Sequence, residues 1–159
     1  MLALITLLTV GSAVALRNYW LRQSLNKSAA ELVTEMRGMQ QRAMAESHPV
    51  VYGIRVTAGS VQSSRTWSIV RFDPRKSTGK CKALEEHEFP GGVRVSAASF
   101  TSAGTATDEC RAIYGASSQF ALFFARGTAT AGELTLTSPS VDGARQVEVA
   151  GVTGRVEAQ

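Results

Sequence analysis

The chain opens with sixteen uncharged residues, MLALITLLTVGSAVAL (1–16), and continues with RNYWLRQSLNKSAAELVTEMRGMQQRAMAE (17–46). In the second stretch, apolar residues recur every three or four positions, which is the spacing of one face of an α-helix. The members of this stripe are Leu25, Ala29, Leu32, Met36, Met39 and Ala43. The pattern ends at His48-Pro49, because a residue before proline disfavours the helical conformation. The sequence therefore predicts one helix of about 45 residues, about 68 Å long at 1.5 Å per residue.

Such a helix is too long to be buried within a compact domain of 159 residues, so its first half is expected to protrude. We divide the chain into a protruding hydrophobic helix (1–24), an amphipathic half of the same helix (25–48) and a β-rich globular domain (49–159). Met36, Met39 and Met44 are predicted to fill the core against the β domain.

The apolar run allows three interpretations. It is a cleavable signal peptide with a small-residue site at 13–15, a membrane anchor with Tyr19 and Trp20 at the interface, or the start of a mature chain. A signal peptide needs basic residues ahead of the run, and a simple anchor places the following arginines on the wrong side for the positive-inside rule. Removal of a basic leader by a peptidase immediately before Met1 accounts for both observations.

After Pro49 the pattern changes to strands. Strands are predicted at 50–57, 66–72, 92–96, 120–125, 133–137, 146–150 and 152–157. Phe120, Leu122 and Phe124 alternate as in half-buried antiparallel strands. Residues 99–118 are rich in Ser, Thr, Ala and Gly and are predicted to form a long loop or irregular edge. The predicted fold is α+β: a long N-terminal helix packed on an antiparallel β-sheet or sandwich.

Composition excludes wholesale disorder, with 44% hydrophobic and 19% charged residues. The net charge of +4 permits an anionic partner without requiring one. The two cysteines, Cys81 and Cys110, are either buried free thiols or a disulfide. Export implied by the N-terminal segment favours the disulfide.

The sequence offers no catalytic constellation, phosphate-binding glycine loop or metal-ligand spacing. His48 and His87 are interpreted as solvated loop histidines, and Glu85, Glu86 and Glu88 as a solvated turn. We therefore predict no enzyme, cofactor, metal or small-molecule substrate.

One basic cluster lies on both sides of a predicted turn. Its members are Arg71, Arg75, Lys76, Lys80 and Lys82. They are either a solvated turn or a contact for an anionic surface, DNA or the acids of a neighbouring subunit.

The order of these features resembles the type IV pilin-like proteins, and the β half is most similar to the GspH/FimT family of minor pilins and pseudopilins. The segments that carry the resemblance are RTWSIV (65–70), FPGGVRV (89–95), FALFFARG (120–127), ELTL (133–136) and GVTGRV (151–156).

The resemblance implies a structural subunit of a type IV pilus or related filament, made of copies of this chain or other pilins. It implies processing and N-methylation at Met1, residence in the inner membrane as a precursor, and then an extracellular filament. The residues expected in the filament core are Leu2, Leu4, Ile5, Leu7, Leu8, Val10, Val14 and Leu16.

The sequence departs from the family at two places. Pilins typically carry Glu at position 5, where this chain has Ile5. DNA-binding members carry Gly-Arg-x-Arg near the C-terminus, where this chain has Gly154-Arg155-Val156-Glu157. The alternatives are a DNA-binding minor pilin for uptake, which would use Arg155 and the basic cluster, and a pseudopilin of a type II secretion system.

Overall fold

The computed structural model of the chain describes residues 2–46, 48–58, 63–139 and 141–159, and for residues 2–15 and 63 it describes the backbone only. Helix α1, Leu2–Ala45, is 44 residues long, as the sequence predicts. Most of the predicted filament core lies outside the part of the chain whose side chains are described. These residues are Leu2, Leu4, Ile5, Leu7, Leu8, Val10 and Val14, and the predicted processing position Met1 lies outside the described residues as well.

Eight strands and a second helix follow α1. They are β1 (Val51–Thr57), β2 (Thr66–Phe72), β3 (Cys81–Glu88), β4 (Arg94–Phe100), α2 (Thr105–Tyr114), β5 (Ser118–Phe123), β6 (Gly132–Ser138), β7 (Val141–Val149) and β8 (Val156–Ala158). They form two four-stranded antiparallel sheets, in the orders β3-β2-β1-β5 and β4-β6-β7-β8. The fold is therefore α+β, as predicted, with the antiparallel strands in two sheets.

The apolar stripe of α1 packs against both sheets and forms the main core with them. Leu32, Met36 and Met39 are fully buried in this core. Met44 directly follows Ala43, the last residue of the stripe, but it points away from the core and is half exposed, so its predicted core role is wrong. The docked half of α1 fixes the direction in which the rest of the helix leaves the β domain.

A second, smaller core covers the opposite face of the first sheet. Phe120 and Leu122 of β5 pack there against α2, whereas Phe123 faces the main core. The predicted strand is present, but it is buried on both faces and not on one, because Ala121 and Phe123, on the face that the alternation left for solvent, pack in the main core.

The disulfide between Cys81 and Cys110 joins β3 to α2, and the two Cα atoms are 5.2 Å apart. This is the bond that the sequence favoured. It ties α2 to the outer face of the first sheet, where few other apolar contacts hold the helix.

Three local predictions are wrong. The acidic segment Glu85–Glu88 belongs to edge strand β3, where glutamates tolerate one exposed face. Residues 99–118 contain α2, which buries mainly the small residues Ala106, Thr107 and Cys110 and so lacks an apolar run. The last strand is shorter than predicted, since residues 151–153 form a turn ahead of β8.

No helix within the part of the chain that has described side chains is long and apolar enough to cross a membrane. Apart from Leu16, the apolar run 1–16 lies outside that part.

Candidate assembly surface

Helix α1 leaves the β domain just before Leu25, which is the first buried residue among the side chains described from Leu16 onward. Residues 16–20 are all exposed there. The exposed fractions are 57% for Leu16, 59% for Tyr19 and 62% for Trp20. Since each square ångström of apolar surface removed from water gains about 25 cal/mol, this projecting stretch is suited to burial in another environment.

A hydrogen bond and a close backbone approach hold α1 at the point where it leaves the domain. Ser24 Oγ donates to the carbonyl of Pro90 at 3.0 Å. Gly91 follows with φ +66°, and a Cβ at this position would lie 2.4 Å from Ser24 Oγ. The segment Pro90-Gly91-Gly92 therefore allows the turn to approach the helix closely.

Further along, polar side chains of α1 bind the backbone of the C-terminal region. Arg37 Nη2 donates to the carbonyl of Val156 at 2.9 Å. Gln40 Nε2 donates to the carbonyls of Gly127 and Thr153, both at 3.0 Å. These contacts attach the helix to the turn between β7 and β8, to the start of β8 and to the loop after β5.

The end of α1 is fastened by Glu46. Its carboxylate accepts a hydrogen bond from Arg71 Nη2 at 2.8 Å and another from the Tyr52 hydroxyl. The bond from Arg71 is the largest influence, and together with that of Tyr52 it holds the pKa of Glu46 below its usual value. Burial, followed by the bond to Glu46, raises the pKa of Tyr52.

No protein-family model and no curated protein matches this sequence. Solved structures do match it. The minor pilin FimU of Pseudomonas aeruginosa is 18% identical with a TM-score of 0.54, over 87% of this chain and 90% of that chain. The minor pseudopilin EpsH of the Vibrio cholerae Type 2 Secretion System is 13% identical with a TM-score of 0.56, over 85% of this chain and 94% of that chain.

The chain has a type IV pilin-like fold. This agrees with the resemblance drawn from the sequence. At these identities the likeness concerns the fold, and the role of individual residues has to be argued from their contacts.

In this pilin-like fold, most of the predicted basic cluster is already paired. Arg71 contacts Asp73 at 3.4 Å in addition to Glu46, and Arg75 Nε contacts Asp73 Oδ1 at 2.9 Å. The hydrogen bond from Arg75 lowers the pKa of Asp73. These ion pairs stabilise the turn between β2 and β3 and fix the end of α1 to the first sheet.

The remaining members of the cluster lie on and beside β3. Lys80 Nζ pairs with Glu109 of α2 at 2.7 Å. Lys76 and Lys82 are exposed, and neither has an ion pair within the described residues. Sequence reasoning missed the pairing because Glu46 and Glu109 come from distant parts of the chain.

Arg155 of the C-terminal motif is 72% exposed, and its guanidinium forms an ion pair with Glu157, two residues on. Strand pairing places Glu157 opposite Glu148, and Glu148 opposite Glu133. Arg155 thus stands beside a row of three carboxylates, which repels a polyanion.

The glycine of the same motif has a structural role. Gly154 has φ +61°, and a Cβ there would lie 2.4 Å from both Gln40 Nε2 and the Gly127 carbonyl. The pilin-like fold therefore needs glycine at this position whatever the function of Arg155.

The two histidines do not form a common site. His48 is exposed beyond α1, whereas His87 stacks on Trp67 with ring centroids 4.3 Å apart. The expectation that both are solvated loop residues is wrong for His87, which lies on β3. Among residues with described side chains, no group of three or more His, Cys, Asp or Glu is arranged to hold a metal ion.

Proposed function

We propose that this protein is a structural subunit of a type IV pilus or pilus-like filament, without enzymatic activity. Its partners are other copies of the chain or other pilins. The observation that carries the proposal is the emergence of α1 from the β domain before Leu25, with Leu16, Tyr19 and Trp20 exposed on the projecting part. In the filament this part packs against the same helix of neighbouring subunits, and the β domain faces outward.

The energetics favour such an assembly. A single apolar helix is stable in a bilayer because all its backbone groups bond within the helix. When the subunit leaves the membrane, that apolar surface must be buried again. Burial of about 25 helical residues removes on the order of 1,500 Å², which corresponds to tens of kcal/mol before entropy costs.

The proposal places the protein in the inner membrane as a precursor and then in an extracellular filament. Residues 1–24 form the membrane segment and filament core, residues 25–48 dock that helix on the head, and residues 49–159 form the exposed head. Met1 is proposed to be the processed and methylated terminus. The likeness to a minor pilin and to a minor pseudopilin supports both a pilus and a secretion pseudopilus as the filament.

DNA uptake receives less support from the contacts. Arg155 is engaged by Glu157 and lies beside the carboxylate row, and Arg71, Arg75 and Lys80 are engaged by acids of this chain. Only Lys76 and Lys82 of the candidate contacts are without an ion pair among the described residues.

A substitution on the projecting helix tests the filament role. Trp20→Asp places a charge on the surface proposed to pack in the filament, so the subunit should be lost from sheared surface fibres while remaining in whole cells. Ile113→Asp is the matched control, because Ile113 is 52% exposed but lies on α2, across the first sheet from α1. Equal incorporation of both variants would contradict the proposal.

A further inference from the structure

A ring of cations surrounds α1 where it leaves the β domain. Arg17, Arg22 and Lys27 are exposed on three sides of the helix, and the first carboxylate of the chain is Glu31. The polar segment that follows the apolar run is therefore purely cationic for about three turns of helix.

Strand β7 adds a fourth cation to this ring. Arg145 Nε donates to Asn26 Oδ1 at 2.7 Å, which brings its guanidinium to the side of α1. Arg22, Asn26 and Arg145 line one cleft of about 300 Å³, in which Asp142 is the carboxylate. We call Arg17, Arg22, Lys27 and Arg145 the basic collar.

A second cleft, of about 200 Å³, lies on the opposite side of α1. Trp20, Ser24, Lys27 and Pro90 are among the residues that line it. An exposed indole thus lines the same cleft as a lysine that lies about two helical turns further along the same side of α1. Aromatic rings next to basic side chains are typical of the boundary between membrane and water.

The collar differs in its pairing from most of the basic cluster and from Arg155. Arg71, Arg75, Lys80 and Arg155 all have carboxylate partners within 4 Å. No member of the collar has such a partner among the described residues, although Arg145 is fixed by an amide. The collar is therefore a group of unpaired cations, and it surrounds the helix where the projecting apolar stretch begins.

We propose that the basic collar binds the phosphate headgroups of anionic phospholipids, while Tyr19 and Trp20 lie at headgroup level. The proposal rests on the membrane stage of the proposed function. Cations next to a membrane segment attract anionic lipids over about a Debye length. The two clefts place Arg22 with Arg145, and Lys27 with Trp20, on either side of the helix, so that lipid can be engaged on both sides.

The test uses the full chain in vesicles of phosphatidylcholine and phosphatidylglycerol at about 4:1, the anionic lipid supplying the charge that the collar is expected to attract. Bromine on the acyl chains of one lipid or the other quenches nearby tryptophan. Trp20 is 62% exposed, whereas Trp67 is 3% exposed within the β domain and gives a constant background. We expect brominated phosphatidylglycerol to quench Trp20 about twofold more strongly than its fraction of the lipid alone would give.

A variant that combines Arg22→Gln, Lys27→Gln and Arg145→Gln should lose this extra quenching by brominated phosphatidylglycerol. The matched control carries Lys76→Gln, Lys82→Gln and Arg126→Gln, which removes three exposed charges elsewhere and should keep it. The proposal would be overturned if brominated phosphatidylglycerol quenched the unaltered chain only in proportion to its fraction of the lipid. It would also be overturned if both variants lost the extra quenching equally.

The failure of the two proposals is distinguishable in this experiment. If both brominated lipids quench Trp20 without preference for phosphatidylglycerol, α1 lies in the bilayer and only the collar proposal is overturned. Absence of quenching by either lipid overturns the collar and the membrane stage of the filament proposal together.

Discussion

Gly154 lies so close to Gln40 that a Cβ on the glycine would meet the amide nitrogen of Gln40 at 2.4 Å. The same Cβ would meet the Gly127 carbonyl, which is a hydrogen-bond partner of Gln40. The C-terminal turn, the loop after β5 and helix α1 therefore meet at one point where a side chain does not fit.

Replacing this glycine should loosen the attachment of α1 to the C-terminal turn. Gly154→Ala is expected to lower the free energy of unfolding by about 2–4 kcal/mol, from left-handed backbone strain plus the contact with Gly127 backbone. Urea unfolding of the full chain measures it. The matched control is Gly79→Ala, because Gly79 has the same φ of +61° but no atom within 4 Å of a Cβ.

The control should lose only about 1 kcal/mol, the cost of a left-handed alanine. If both variants lost the same free energy of unfolding, the close approach of Gly154 to Gln40 and Gly127 would not contribute to stability.

The disulfide between Cys81 and Cys110 should contribute strongly to stability. It joins residues 29 apart, so its loss is expected to cost about 3–4 kcal/mol in the chain-entropy account. Unfolding with and without reductant measures the loss, and the double variant Cys81→Ser, Cys110→Ser should be insensitive to reductant. A reduced chain as stable as the oxidised one would contradict the role given to this bond in holding α2.

The contact between Glu46 and Arg71 should make stability depend on acid. The folded chain holds the pKa of Glu46 below its usual value of 4.5, chiefly through the hydrogen bond from Arg71. The stabilisation is therefore present above about pH 4.5 and is lost as the pH falls through the lower folded pKa. Glu46→Gln should reduce stability at neutral pH and show a shallower loss below pH 4.5, as followed by urea unfolding at several pH values.

Glu31→Gln is the control for this titration, because Glu31 is exposed on α1 and has no ion pair among the described residues. Its acid profile should follow that of the unaltered chain. A Glu46→Gln profile that also coincides with the unaltered one would rule out the assigned contact as the cause.

Glu157 should set the affinity for duplex DNA. In the folded chain it engages Arg155, so Arg155→Ala should change DNA binding little. Glu157→Arg removes that partner and supplies a second cation, so it should tighten binding and steepen the dependence on log salt by about 1–2. Fluorescence anisotropy with a labelled duplex at several salt concentrations measures both effects.

Glu157→Gln is the intermediate case, since it frees Arg155 without adding a charge. Strong DNA binding by the unaltered chain that is abolished by Arg155→Ala would contradict this assignment and favour the uptake alternative.

The sequence was informative where the pattern is local. The spacing from Leu25 to Ala43 predicted α1, because a helix repeats every 3.6 residues and its buried stripe can be read directly. Alternation likewise located most strands. The same reasoning missed α2, since Ala106, Thr107 and Cys110 bury little apolar surface and give no run of large residues.

The site needed information from across the chain. The pairing of Lys80 with Glu109, and of Arg71 with Glu46, joins residues far apart in sequence. The alignment of Glu157 with Glu148 depends on strand register, and the position of Arg145 beside Asn26 depends on how β7 meets α1. No spacing along the chain encodes these contacts, so the sequence left the basic cluster either solvated or in contact with an anionic partner, and the structure shows most of it paired within the chain.

Hydroxyl-radical footprinting of sheared surface fibres tests the central claim most directly, by comparing two tryptophans of the same chain. In the isolated subunit Trp20 is 62% exposed and Trp67 is 3% exposed, so their oxidation rates should differ widely. If α1 packs against neighbouring helices in a filament, Trp20 in the fibres should be oxidised as slowly as Trp67. Rapid oxidation of Trp20 in the fibres, or absence of the chain from them, would contradict the account.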